Sequence, residues 1–263
     1  MTPLILQTLR DKRWNILGWS IGLISMAVFT IVFFPSISQS NGLDQLSESV
    51  PAEFQGLVGD TSAFKELPNY LGQQVFDLRL PIITLIFAIM LASSLTVREE
   101  EEGTLKTLQR LPISRTSVVL AKWAALCVLT ATIALAAFVG VLLGIAIIGE
   151  SVDLEALIFA SLLLWLLTLS VASITFMVGL SSGRRGLTIA FASIFLVVNI
   201  LVATMAAGID SLKEVAKFTL YYYYNTPKLI IENPELSHVM VFAAAIALSL
   251  AITLFFYRRR DIN

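Results

Sequence analysis

Residues 80–122 read LPIITLIFAIMLASSLTVREEEEGTLKTLQRLPISRTSVVLAK. The first part, 80–97, is an apolar run without a charged residue, and it breaks abruptly at Arg98 into four consecutive glutamates, Glu99, Glu100, Glu101 and Glu102. A bilayer core about 30 Å thick is crossed by roughly 20 helical residues, so a run of this length that ends in a dense charge cluster is expected to leave the membrane there. Beyond the glutamates, Leu105, Leu108 and Leu111 recur at three-residue spacing, beside Lys106, Gln109 and Arg110 on other faces. This spacing predicts a short amphipathic helix, too polar to enter lipid, whose acidic start complements the helix dipole. Pro112 is expected to end it, and Ser114 with Arg115 to open a second long apolar run. The structure implied is two spans joined by a short helix lying across their ends. Its leucine row is stable only when packed, either on the two spans themselves or in a groove of a soluble partner. In the second case the helix acts as a lever that converts partner motion into tilt of the spans.

Working outward, six apolar stretches of membrane length appear, at about 16–35, 80–97, 118–148, 156–180, 187–209 and 239–257. The composition agrees, with 57% hydrophobic and 14% charged residues, where soluble domains are about a quarter charged. The expected fold is an all-α integral membrane protein, a single transmembrane permease domain over 1–263 without a nucleotide-binding domain. The third stretch exceeds what a bilayer needs and should tilt or project. No small-residue cleavage site follows the first stretch, which reads as a retained span. Before it, Leu6, Leu9, Arg10 and Arg13 suit an interfacial amphipathic helix, with a frayed tail as the alternative.

The net charge of -1 says little about partners, but the placement of the charges does. With the N-terminus inside, Arg10, Lys12, Arg13, Arg98, Lys106, Arg110, Arg115, Lys122, Arg184, Arg185, Arg258, Arg259 and Arg260 lie on the inner side, against Lys65, Arg79, Lys213, Lys217 and Lys228 outside. Cytoplasmic loops retain positive charge, so both termini are expected in the cytoplasm. The long outer loop 36–77 and the outer segment 210–237 should carry short helices on the outer surface. The second contains Tyr221, Tyr222, Tyr223 and Tyr224, read as headgroup anchors ahead of a substrate contact.

The 98–122 stretch resembles the signature of the ABC-2 type (type-2 ABC exporter) permeases. Glu102, Gly103, Thr104, Leu105, Leu108, Pro112, Ile113, Ser114 and Arg115 carry the resemblance, and the six-span layout, the outer loops and the short basic tail extend it over essentially the whole chain. The resemblance implies a permease subunit in the plasma membrane that pairs with a second permease, as homodimer or heterodimer. It also implies two copies of a separate ABC ATPase, with ATP and Mg on the partner and no cofactor in this chain. Glu102, Gly103, Thr104, Leu105, Leu108, Pro112, Ile113 and Arg115 would be the ATPase-coupling residues. By resemblance, spans two and five would border the pathway, with Thr84, Ser93, Ser94, Ser193, Asn199 and Thr204 as candidate lining residues.

The residues exclude several other classes. No G-x-x-x-x-G-K-[ST] loop occurs, so the chain has no ordinary cradle for ATP. The span cores lack ionisable groups, which disfavours an ion-coupled secondary transporter. They hold no H-E-x-x-H motif and no Ser–His pair at matching depth, so a catalytic site is not expected. The lone Cys127 and His238 suggest no metal site, and no nucleic acid partner is expected. An apolar lining with scattered hydroxyls favours an amphiphilic or lipophilic cargo. The alternative from another class is a membrane scaffold or sensor that docks a soluble partner through the same loop and moves nothing. Small-residue pairs, Gly18 with Gly22, Gly140 with Gly144 and Gly179 with Gly183, permit close helix contact within one chain or between two.

Overall fold

A computed structural model describes residues 2–38, 66–101, 114–206, 208–224 and 236–259, with side chains at 114 and from 4, 66, 116, 208 and 237 onward in the respective segments and as far as residues 97 and 257 in the second and last. Six long helices dominate: α1 (Thr2–Val32), α2 (Leu80–Glu101), α3 (Arg115–Ile148), α4 (Leu154–Ser182), α5 (Arg185–Met205) and α6 (Leu236–Arg259). All six are long and apolar enough to cross a membrane, and no strand occurs among the described residues. The expected all-α membrane fold is therefore the observed one.

The helix ends follow local chemistry. The Ser114 side chain accepts from the Ser117 amide at 3.2 Å and caps α3, as the sequence suggested. Asp153 caps α4 in the same way through Glu155. At their other ends α3 and α4 stop at Gly149 and Gly183, which take the left-handed φ values of 73° and 62° that favour glycine. The Gly183–Arg184 turn then leads directly into α5. The N-terminus departs from expectation. The interfacial helix is not a separate element, because nothing between Arg13 and Ile16 breaks a helix and the first turns continue into α1 without interruption.

Short pieces join the spans at the end opposite the N-terminus. Phe34–Ser38 follows α1, and Leu67–Tyr70 runs through a π-helix, Leu71–Arg79, into α2. After α5 come a 3-10 turn at Asp210–Leu212, a helical turn at Lys213–Ala216 and a second 3-10 turn at Tyr221–Tyr224. We call this the tyrosine end, and the other, which carries Arg10, Arg13, Arg184 and Arg185, the basic end.

Side-chain contacts fix the packing. α4 is the hub, touching α2, α3, α5 and α6. It runs parallel to α2: the Thr168 and Thr84 hydroxyls lie 3.2 Å apart near one end, and a Cβ on Gly179 would collide with Thr96 Oγ1 near the other. It is antiparallel to α3, with the indoles of Trp123 and Trp165 donating to Ser173 and Thr130, each at 3.3 Å. Hydroxyls along these helices also return to backbone carbonyls one turn back, for example Thr168 to Leu164 at 2.7 Å and Thr175 to Val171 at 2.8 Å. Such pairing is required where lipid offers no hydrogen bonds.

α1 lies to one side and packs mainly on α3. Of the three glycine pairs, Gly140 with Gly144, and Gly179 of another, find partners inside the chain. A Cβ on Gly140 would lie 2.8 Å from the Ile24 Cα, and one on Gly144 2.9 Å from the Ile31 Cβ. Gly18 and Gly22 face open space, with nothing within 4 Å.

Candidate functional site

Two regions bear on function: the base from which the 98–114 loop emerges, and the broad apolar surface formed by α1, α2 and α5. Of the coupling residues, Glu102, Gly103, Thr104, Leu105, Leu108, Pro112 and Ile113 lie outside the described residues, and Arg115 is the first residue of α3. The frame on either side is well defined. Lys122, only 3% exposed, lies one to two turns into α3 and donates from Nζ to the Leu95 carbonyl of α2 at 3.0 Å. The next residue of α2, Thr96, is fully buried and meets Gly179 of α4. The last turns of α2 are thus tied to α3 by a hydrogen bond and seated on α4 by a glycine. The sequence placed Lys122 among the inner-side cations and gave no sign of its burial, since a lysine near a span end ordinarily reaches water.

The candidate lining residues separate into two groups. Thr84 and Ser93 are buried inside the subunit, Thr84 donating to the Pro81 carbonyl at 3.2 Å and lying beside the Thr168 hydroxyl. The Ser93 hydroxyl has no hydrogen-bond partner among the described residues. Ser94 is half-buried and donates to Leu91 at 2.8 Å. On α5, Ser193 is exposed, while Thr204 is partly covered and donates to Ile200 at 2.8 Å. Asn199 faces the bundle, donating to the Phe195 carbonyl at 2.9 Å and accepting from the Leu220 amide at 2.8 Å. It fastens the segment after α5 back onto the helix. Thr84, Ser93 and Asn199 are thus buried within the bundle, whereas Ser193 faces outward.

The exposed apolar surface runs across three helices. On α2 it is a stripe at four-residue spacing, Ile82, Ile86 and Met90, ending beside Ser94. On α5 only Thr188, Ala192, Leu196 and Asn199 are buried, leaving Phe191, Ile194, Val197, Val198 and Leu201 outward. Between α1 and α2 lies a groove lined by Trp14, Asn15, Gly18, Trp19 and Gly22 with Ile83. The Trp19 ring meets Phe87 of α2 edge-on at 5.5 Å and forms part of its floor. Sequence reading flagged the Gly18–Gly22 pair as a close-contact element without assigning its face, and it is this pair that opens the groove.

At the tyrosine end the aromatic cluster is not simply a set of headgroup anchors. Tyr222 is exposed, but Tyr221 and Tyr224 are buried. Tyr224 donates to the Phe76 carbonyl at 2.7 Å, and Tyr221 donates to the Asp77 carbonyl and lies 3.3 Å from Asp77 Oδ1. Burial, reinforced by the nearby Asp77, holds the Tyr221 hydroxyl well above its usual pKa, so it remains a donor. The ion pairs in this region are exposed. A hydrogen bond from Lys213 lowers the Asp210 pKa, and one to Glu214 raises that of Lys217. Solvent screens such pairs, and they contribute little.

A family model described as ABC-2 family transporter protein matches residues 5–262. Comparison with curated proteins gives no match. The six apolar helices and a family match over nearly the full length lead to one conclusion: this chain belongs to the ABC-2 family of transporter proteins and is a multi-pass membrane permease component of an ABC transporter.

Proposed function

We propose that the chain is the permease half of an ATP-driven exporter, worked through the 99–111 loop by a separate ATPase. One observation supports this most strongly. The span leading into that loop is the most enclosed of the six, 72% buried against 17% for the fifth and sixth. Its last turns are bound to α3 by Lys122 and seated on α4 at Gly179. A force applied to the loop therefore acts on the middle of the bundle rather than on a peripheral helix.

In this reading the basic end faces the cytoplasm of the plasma membrane, with both termini there, in accord with the positive-inside bias. Two ATPase copies bind ATP and Mg and take the loop helices through Leu105 and Leu108. A second permease, identical or related, covers the apolar surface of α1, α2 and α5, and the pathway opens between the two by alternating access. Ser193 and Thr204 border it from α5, while Thr84 and Ser93 hold α2 against α4. The outward apolar stripes suit an amphiphilic or lipophilic cargo.

The test is co-purification with an ABC ATPase, followed by ATP turnover in liposomes under candidate lipophilic substrates. Leu105→Asp with Leu108→Asp is expected to leave insertion intact and to remove most substrate-stimulated turnover. A double variant that keeps normal turnover and ATPase binding would refute the lever role. An ATPase that binds with no cargo moved would favour a docking scaffold.

A further inference from the structure

Pro81 stands five residues after Phe76 and four after Asp77. These are the positions whose amides would donate to the Phe76 carbonyl in π register and the Asp77 carbonyl in α register. The π register is in force here, since the preceding amide, Leu80, donates to Val75. Proline has no N–H, so the donor is missing where it is needed. Phe76 is fully buried and remote from water, where a lost backbone hydrogen bond is costly. The two carbonyls affected by Pro81 are the two that accept the hydroxyls of Tyr224 and Tyr221. One 3-10 turn, Tyr221–Tyr224, brings both hydroxyls to consecutive carbonyls, because residues three apart share a face in that geometry. The same segment is fastened to α5 through Leu220 and Asn199.

We propose that Tyr221 and Tyr224 are positioning residues: they satisfy the two consecutive carbonyls that would compete for the one donor Pro81 lacks, and so join the loop after α5 to the start of α2 as one body during transport. The joint function rests on the permease reading above; the hydrogen-bond substitution does not. A proline two residues into α2 lets its backbone bend away from ideal helix, and the tyrosines fix the bend to a neighbouring span. Motion delivered to the basic end of α2 then reaches the tyrosine end of α5 without slack.

The experiment is a mutant cycle on the full chain in lipid nanodiscs, in a Cys127→Ser background that removes the single cysteine. Spin labels go on Glu66→Cys, exposed at the start of the segment that runs into α2, and Phe218→Cys, 92% exposed. The parent is expected to give one narrow distance distribution. Tyr221→Phe with Tyr224→Phe should broaden it and lower the thermal unfolding midpoint. Adding Pro81→Ala, which restores a backbone donor, should recover about half or more of both losses, a non-additivity that general weakening would not produce. Additive effects, or a doubly phenylalanine-substituted chain as narrow as the parent, overturn the substitution. In the complex with its ATPase the labelled distance should be the same with and without ATP, and a shift between the two overturns the one-body motion. Absence of any ATPase partner would undo the exporter reading and leave the cycle to decide the latch.

Discussion

Gly140→Leu is expected to separate α1 from the rest of the bundle and to give the largest loss of stability of any single change considered. Even the Cβ of alanine would lie 2.8 Å from the Ile24 Cα and 3.0 Å from the Ala27 Cβ. The first obstacle is backbone, which cannot rotate away. Overpacking of this kind costs about 1–3 kcal/mol for small insertions, and leucine adds volume that only withdrawal of α1 can accommodate. Since α1 makes most of its contacts with α3, little else would hold it in register. Thermal unfolding followed by a thiol-reactive dye at Cys127 is the measurement. An unchanged midpoint would mean that α1 packs elsewhere.

Gly22→Leu, alone or with Gly18→Leu, should have the opposite profile. Nothing lies within 4 Å of either glycine, so the folded chain should tolerate leucine with an unaltered midpoint. If a second permease covers the groove between α1 and α2, the added side chain fills the space the partner needs. A misfit of about 1–3 kcal/mol there weakens pairing by roughly fivefold to a hundredfold. Cross-linking or single-molecule photobleaching in nanodiscs would report the association, and transport should fall with it. Normal pairing in the doubly substituted chain would place the partner on another face. The contrast between the two glycine pairs, similar in sequence, makes them a paired test of which contacts lie within the chain.

Much of the architecture was legible because lipid imposes a length rule on any helix that crosses it. Six runs of membrane length, the Ser114 cap and the glycine stops of α3 and α4 all follow from local chemistry. The frame of the loop was legible only in outline. Ser114 and Arg115 were readable as the start of α3, whereas Lys122 against Leu95 required the fold to bring together residues 27 apart. The pathway candidates fared similarly. Thr84 and Ser193 are both hydroxyls in apolar helices, yet one is fully buried and the other exposed. The Tyr221–Asp77 and Tyr224–Phe76 pairs, 144 and 148 residues apart, lay beyond any local pattern.

By itself, the sequence determined that six stretches are long and apolar enough to cross a bilayer, about where each lies, and that charge gathers at one end of the bundle. Tertiary structure alone decided which helix is central. The fourth and fifth spans have nearly equal hydropathy, 2.3 and 2.4, yet are 61% and 17% buried. The physical reason is that lipid and protein interior are both apolar, so a face turned to either needs the same residues. Only the close approaches at Gly140, Gly144 and Gly179, and the hydroxyl and lysine bonds between helices, distinguish a neighbour from the membrane.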